Sequence, residues 1–151
     1  MRWNSLAKED CSLARTLAVI GDRWTLLILR EAFLRCRRFE EFEERLGIAR
    51  HILADRLKKL AAEGVLDKLP YQERPVRHDY RLTRKGLDLY PVIMAILEWG
   101  NVHMAQPAGP PLLFRHLACG REFAPLLVCS ECRGPLDPHE VRPFPGPGAP
   151  S

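Results

Sequence analysis

The fold can be inferred first from residues 39–64, which read FEEFEERLGIARHILADRLKKLAAEG. Two helical patterns, residues 39–46 and about 49–63, are separated only by Gly47 and Ile48. Gly47 can adopt a positive φ and so turn the chain sharply. A helix, a tight glycine-bearing turn and a second helix form the helix-turn-helix pattern, although many helical hairpins that do not bind DNA share it. The pattern therefore suggests DNA binding without deciding it.

The residues after this motif favour DNA binding more strongly. Residues 65–71 and 78–82 have the composition of β-strands, and Arg74, Pro75 and Arg77 lie between them. The sequence thus predicts a β-hairpin whose tip is basic and stiffened by proline. A helix-turn-helix followed directly by a basic hairpin is the order of a winged helix, in which one helix enters the major groove and the wing contacts an adjacent phosphate ridge or minor groove. We therefore expect a mainly α-helical winged helix-turn-helix domain with a small β-hairpin wing.

Two further helices are predicted upstream of the motif. Residues 11–20 have a helical pattern that ends at Gly21. Asp22 then has the side chain of a good N-cap for a helix that begins at Arg23. Residues 23–30 are apolar on nearly every side of that helix. The second helix should therefore lie in the centre of the domain and serve as scaffold.

A long helix is predicted over about residues 84–105, with Thr83 as its cap and a break or slight shift near Pro91, because an internal proline removes a hydrogen bond. Apolar side chains between residues 87 and 99 cover more than one face of this helix. A small domain cannot bury them all by itself, so a second copy of the chain is their natural cover. The sequence therefore predicts a homodimer.

Charge and hydropathy narrow the range of partners. Residues 50–85 hold ten Lys or Arg against five Asp or Glu, whereas the whole chain has a net charge of only +4. Such a basic segment is expected of a surface that binds phosphates, although solvated basic faces are common. The first ten residues contain no apolar leader segment, and the longest apolar run, residues 24–29, is too short to span a bilayer. We expect a cytoplasmic protein with no membrane partner.

With these elements placed, the chain resembles the HxlR-type family of bacterial winged helix-turn-helix regulators over about residues 11–105. The Gly-Asp-Arg-Trp block is specific to that family, and its combination with the YRLT motif and the glycine after it is more so. The resemblance rests on Cys11, IGDRWTLLILRE (20–31), Arg38, Phe39, Leu53, RLKKL (56–60), Gly64, YRLT (80–83), Lys85 and Gly86.

Membership in this family implies a homodimer whose N-terminal and C-terminal helices form the subunit contact. It also implies that two recognition helices bind a palindromic operator in double-stranded DNA, and that nearby genes are controlled in response to a chemical signal. The sequence departs from the family at Ala49, where a serine usually precedes the recognition helix. The missing N-cap hydroxyl costs about 1 kcal/mol of helix-end stability.

The recognition helix supplies the first candidate DNA contacts. If Leu53, Leu57 and Leu60 form its buried stripe, helical spacing defines the opposite face. Residues at the N-terminal turn of that face are best placed for base edges, because helices of this type enter the groove N-terminus first. The face carries Arg50 and His51 as candidates for base edges, then Ala54 and Asp55, and Lys58 as a candidate for a phosphate. The alternative is a solvated helix face.

Three other arginines have less certain roles. Arg56 serves either an ion pair within the domain or a phosphate. Arg74 and Arg77 flank Pro75 in the wing, and arginine suits narrow minor grooves and phosphate oxygens better than lysine does. For the wing the alternative is a solvated hairpin tip.

Cys11 is a candidate redox sensor. It lies where many members of the resembled family carry a cysteine that senses oxidants, quinones or aldehydes. A helix N-terminus lowers a thiol pKa and favours the reactive thiolate, whereas the neighbouring Glu9 and Asp10 oppose this effect. The alternative is a small buried hydrophobe. Cys36 lies among Arg35, Arg37 and Arg38, which also favour a thiolate.

The C-terminal part contains a possible metal site. His116 and Cys119 form one pair and Cys129 and Cys132 a second, each with two residues between the partners. This spacing lets both side chains of a pair reach one ion, and three thiolates with one imidazole satisfy a closed tetrahedral zinc site. A structural zinc ion is therefore predicted. A reversible disulfide or incidental thiols are the alternatives.

The chain should thus be organised in four segments. Residues 1–10 form an N-terminal arm, and residues 11–108 form the winged helix-turn-helix DNA-binding and dimerisation domain. After a linker rich in proline, residues 112–140 form a zinc-ribbon-like segment, and residues 141–151 lack the apolar content that ordering needs.

Two functions from different classes fit these patterns. The first is a homodimeric, sequence-specific transcriptional regulator that responds to a redox or electrophile signal. The second is a zinc-ribbon module for protein interactions, carried on a helical dimerisation scaffold without specific DNA recognition. An enzyme is not supported, because no spaced Cys, His and Asp arrangement or phosphate loop accompanies the thiols. The basic segment and charged wing favour the regulator.

Overall fold

The computed structural model describes residues 3–149 and is mainly helical, with two small antiparallel sheets. A 3-10 helix, Trp3–Lys8, precedes the first α-helix. The elements that follow are α1 Ser12–Ile20, α2 Arg23–Phe33, α3 Phe39–Leu46, α4 Arg50–Ala62, β1 Leu66–Glu73, β2 Val76–Leu82, α5 Arg84–Leu87, α6 Tyr90–His103, β3 Arg115–His116 and β4 Arg121–Glu122. The predicted winged helix-turn-helix class is confirmed.

The helix-turn-helix consists of α3 and α4. Gly47 ends α3 with a φ of 59°, and its N–H donates to the Glu43 carbonyl at 3.0 Å. Ala49 precedes α4 in an extended conformation and provides no side-chain cap, as its missing hydroxyl requires. The start of α3 is capped by Glu41, whose carboxylate accepts from the N–H groups of Arg37 and Arg38 at 3.0 and 3.1 Å. These bonds hold the pKa of Glu41 below its ordinary value.

The central position predicted for α2 is confirmed. The Asp22 carboxylate accepts from the N–H groups of Trp24 and Thr25, both at 3.1 Å, and so caps the helix. Ile28 and Leu29 of α2 are completely buried. They share the core with Phe42, Leu53, Leu57, Leu60, Val65 and Leu66. This core holds α3, α4 and the wing in place.

The wing is longer than the sequence predicts. Strands β1 and β2 pair from Leu66 opposite Leu82 to Glu73 opposite Val76, with an irregularity after Pro70. The loop predicted over residues 72–77 is therefore too long, because strand pairing continues until only residues 74 and 75 connect the strands. The base of the wing is tied to the segment before α3, where the Tyr80 N–H donates to the Arg37 carbonyl at 2.7 Å.

The long helix predicted after the wing is two helices. Thr83 caps α5 as expected, its hydroxyl accepting from the Gly86 N–H at 3.1 Å. The chain then turns before α6 begins at Tyr90, so Pro91 falls in the first turn of α6. A helix does not need the N–H group of that position, so the proline is tolerated there. The break predicted near Pro91 is thus an interruption of the helix, because α5 ends at Leu87 and a separate helix begins at Tyr90.

Two compact units can be distinguished, one reaching to Tyr90 and the other covering Pro91–Pro147. The second unit contains most of α6, the β3–β4 hairpin and an isolated bridge between Val128 and Pro135. None of residues 101–149 is buried. The four-segment organisation expected from the sequence stays a prediction. No helix of residues 3–149 combines the length and the hydropathy that crossing a membrane requires.

Candidate nucleic-acid interface

Helix α4 has one buried and one exposed face, as its sequence predicts. Leu53, Leu57 and Leu60 are completely buried. The opposite face is exposed and consists of Arg50, His51, Ala54, Asp55 and Lys58. The stripe of leucines is therefore confirmed. Contact between the exposed face and DNA stays a prediction.

Arg50, the candidate at the start of α4, has partners on α3. Its Nη1 atom lies 2.8 Å from Oε2 of Glu43, and its guanidinium lies 4.7 Å from the ring centroid of Phe39. These contacts could not be read from the sequence, because nothing in the helical pattern indicates which acidic side chain an exposed arginine will meet. Arg50 must exchange the carboxylate for a base edge if it is to read DNA.

Arg56 is an intradomain ion-pair partner. Its Nε atom lies 3.0 Å from Oδ1 of Asp22, the oxygen that also caps α2. Partial burial raises the pKa of Asp22, but hydrogen bonds from Thr25 and Arg56 outweigh this effect and hold that pKa below its ordinary value. Of the two roles considered for Arg56, the structure favours the ion pair, which joins α4 to the start of α2.

The wing carries both of the arginines that the sequence singles out as candidate DNA contacts. Arg74 and Arg77 are exposed, and among residues 3–149 neither side chain has an ion-pair or hydrogen-bond partner. Arg77 also borders a cleft of about 180 Å³ between the wing and the start of the helix-turn-helix. The cleft is lined by Phe39, Glu40, Arg50, Lys68, Tyr71, Val76, Arg77, His78 and Tyr80. The wing and α4 thus contribute cations to one concave surface.

Arg38, Lys68 and Tyr71 were not singled out as site residues from the sequence. The Arg38 guanidinium lies 4.5 Å from the Tyr71 ring centroid, and its Nε lies 3.9 Å from Oδ1 of the buried Asp79. That Asp79 oxygen is the buried side-chain acceptor without a hydrogen-bond partner among the described residues. A signal for Arg38 was present, since it belongs to the family-like motif, but its neighbours Tyr71 and Asp79 lie far along the chain, one on each strand of the wing.

The two thiols of the first unit differ in accessibility. Cys11 is exposed and occupies the N-cap position of α1, where it makes no side-chain capping bond. Cys36 is only 1% exposed, and its burial, with the nearby Glu41, raises the pKa of its thiol to about 12. The arginines beside Cys36 in the sequence favour a thiolate, but burial of the side chain has the opposite and larger effect on the thiol pKa. Cys11 is the accessible thiol of this unit.

The predicted metal ligands form two separate pairs. Nδ1 of His116 lies 3.5 Å from Sγ of Cys119 in one pair. In the other, the N–H groups of Cys132 and Glu131 and the Cys132 side chain lower the pKa of the Cys129 thiol. Within residues 3–149 no three His, Cys, Asp or Glu side chains are close enough together to hold a metal ion. The structure thus brings together the partners of each pair but does not gather all four residues.

Comparison with known proteins identifies the family. Residues 19–108 match the model of the HxlR-like helix-turn-helix family. The chain is 44% identical over 140 residues to the uncharacterized HTH-type transcriptional regulator Rv3095 of Mycobacterium tuberculosis, a match that covers 93% of this chain and 89% of that protein.

Solved structures agree with this match. The crystal structure of PA1607 is 36% identical, has a TM-score of 0.84 and covers 93% of this chain and 98% of its own. The reduced form of the redox regulator HypR is 28% identical with a TM-score of 0.58, and it covers 62% of this chain and 94% of its own. The chain is a transcriptional regulator of the helix-turn-helix type and belongs to the HxlR-like helix-turn-helix family.

Proposed function

We propose that the protein is a homodimer that binds a palindromic operator, with α4 in the major groove and the wing on the flanking backbone. The observation that carries this proposal is the shared cleft to which α4 and the wing both contribute cations. Double-stranded DNA presents base edges in the groove and phosphates at its rim. A helix face next to a basic hairpin matches that arrangement.

The residues on α4 divide by the DNA groups they suit. Arg50 and His51, at the N-terminal turn, would reach base edges, and arginine binds both acceptors of guanine well. Ala54 suits a thymine methyl group, and Asp55 accepts a hydrogen bond from the amino group of cytosine. Lys58 lies farther along the exposed face, where a phosphate contact fits its single charge.

The wing would anchor the complex. Arg74 and Arg77 have no partners within the described chain that would have to be displaced on binding. Contacts between arginine side chains and phosphates position a protein on the duplex without reading its sequence. The wing therefore adds affinity, and α4 adds specificity.

The dimer is supported by apolar exposure. Four large apolar side chains of α6, Val92, Ile96, Trp99 and Val102, are between 44% and 63% exposed. Leu13 and Leu17 of α1 are exposed as well. Exposed apolar stripes of this kind are expected at protein contacts. A second chain as the cover would also supply the second recognition helix that a palindrome requires.

A redox or electrophile signal is proposed to act at Cys11. Its exposure makes it accessible to small electrophiles, unlike Cys36. HypR, whose match covers 62% of this chain, is described as a redox regulator in reduced and oxidised forms. Modification of Cys11 at the start of α1 would change operator affinity. An oxidant should then alter DNA binding by the wild type and not by Cys11→Ser, and an identical response in both proteins would exclude Cys11.

A salt titration with matched variants tests the division of labour. Arg50→Ala should lower the preference for the operator over a scrambled duplex by roughly 1–3 kcal/mol. Arg77→Ala should weaken binding to all duplexes alike and flatten the slope of log K against log salt by about 1. Arg142→Ala is the control: it removes an exposed charge that lies on neither α4 nor the wing, and it should change neither the preference nor the slope. A protein-interaction module without specific DNA recognition would bind the operator and the scrambled duplex equally at every salt concentration.

A further inference from the structure

The C-terminal segment has almost no apolar core of its own. None of residues 101–149 is buried, and Leu117 and Leu126 are 91% and 85% exposed. Its regular structure consists of two strands of two residues each and one isolated bridge. Segments this small usually need a disulfide or a metal to offset chain entropy. Another source of stabilisation is therefore required.

The two pairs of candidate ligands lie on two backbone turns of the same type. The Gly120 N–H donates to the His116 carbonyl at 2.8 Å, and the Arg133 N–H donates to the Cys129 carbonyl at 3.0 Å. In each turn the fifth residue has a left-handed conformation, with φ of 69° at Gly120 and 61° at Arg133. Arg133 adopts this conformation although a side chain disfavours it. Two stretches of different sequence, residues 116–120 and 129–133, thus form turns of the same type, each of which is called a knuckle.

The first knuckle has the spacing of two ligands on one ion. With Zn–S of about 2.3 Å and Zn–N of about 2.0–2.1 Å at a tetrahedral angle, sulfur and nitrogen lie about 3.5 Å apart. The distance between Sγ of Cys119 and Nδ1 of His116 is 3.5 Å. Nδ1 is therefore the atom of His116 that would bind the metal.

The second knuckle directs a backbone donor at one of its sulfurs. The Gly134 N–H donates to Sγ of Cys132 at 3.4 Å. A hydrogen bond to sulfur stabilises the anionic form, which is the form that binds a metal. The Cys132 sulfur thus has a donor of the kind that a thiolate ligand needs.

We propose that His116, Cys119, Cys129 and Cys132 bind one structural Zn²⁺ ion per chain, with each knuckle supplying two ligands. Three thiolates and one imidazole complete a tetrahedron and leave no open position for substrate. In the structure no three of these side chains lie close enough together to hold one ion, so ligation by all four requires the two knuckles to approach each other. The ion then supplies the stabilisation that the exposed leucines do not. This proposal does not depend on DNA binding.

The full-length protein, purified under reducing conditions, tests the proposal by elemental analysis and by Co²⁺ titration. One equivalent of zinc is expected per chain. Co²⁺ added to the chelator-treated protein should give thiolate charge-transfer bands and the visible bands of a tetrahedral site. Loss of an outer-shell partner costs 10–100-fold in metal affinity, so removal of a ligand in Cys132→Ser should cost at least about 100-fold.

Two further variants separate ligation from general damage. Cys11→Ser removes an exposed thiol outside the knuckles and should keep full metal content. His116→Cys should bind Zn²⁺ and change the cobalt spectrum, because a fourth thiolate replaces the imidazole. The proposal is overturned if the wild type contains no zinc and gives no cobalt spectrum, or if Cys132→Ser binds metal as tightly as the wild type. A Cys129–Cys132 disulfide in the freshly reduced and metal-supplied protein would also overturn it.

Discussion

Releasing Arg50 from Glu43 should strengthen operator binding. In the free protein the guanidinium of Arg50 is paired with Glu43 at 2.8 Å and stacked on Phe39. To contact a base, Arg50 has to leave this carboxylate. Glu43→Gln removes the charge of the competing partner and keeps the shape of its side chain, so less free energy is spent before Arg50 reaches the groove.

The size of the effect follows from the exposure of the pair. The Arg50 side chain is 65% exposed and that of Glu43 is 32% exposed. Ion pairs at such positions contribute about 0.2–1 kcal/mol. The operator should therefore bind to Glu43→Gln up to about fivefold more tightly than to the wild type, because 1.4 kcal/mol corresponds to a factor of ten.

The measurement is fluorescence anisotropy with a selected operator at fixed salt. Any lost acidic charge near DNA increases affinity, so Glu44→Gln is the matched control: Glu44 is exposed and has no ion-pair partner among the described residues. The gain of Glu43→Gln should exceed that of Glu44→Gln in the wild-type background and equal it in an Arg50→Ala background. If Glu43→Gln and Glu44→Gln gave the same gain in affinity in the wild-type background as well as in the Arg50→Ala background, a role for Arg50 at the base edges would be refuted.

Three other outcomes are expected from the structure. Leu57→Ala, at a completely buried position of α4, should lower the free energy of unfolding in urea by about 2–5 kcal/mol. The pKa of Asp22 is lowered in the folded state. The wild type should therefore be more stable than Asp22→Asn above pH about 3.9, and this advantage should be lost as the pH falls below that value. An advantage that did not depend on pH would contradict the ion pair with Arg56. At pH 7 iodoacetamide should modify Cys11 and leave Cys36 intact in the folded protein, as peptide mass spectrometry would show.

Much of the fold was predictable because it follows from local rules. The leucines of α4 recur at helical spacing and face the core, and Asp22 caps α2 through atoms two and three residues away. Such features depend on nearby residues and on the division between apolar and polar side chains. Predictions from them are accordingly correct in residue and in role.

The errors concern features that depend on distant partners. The extent of the wing was set by strand pairing that continues to Glu73 and Val76, which no turn signal in the sequence reveals. The partner of Arg50 and the burial of Cys36 likewise arise from packing between elements. Charges beside a thiol in the sequence could not show that desolvation would outweigh them.

Sequence-specific binding by the winged helix is tested most directly by selecting bound duplexes from a random pool and titrating the recovered sequence against a scrambled one. The expected result is a site of two inverted half-sites, about one helical turn apart, bound by a dimer at least about 10³-fold more tightly than the scrambled duplex at physiological salt. Recovery of no common sequence, with equal binding of all duplexes at low and high salt, would contradict it.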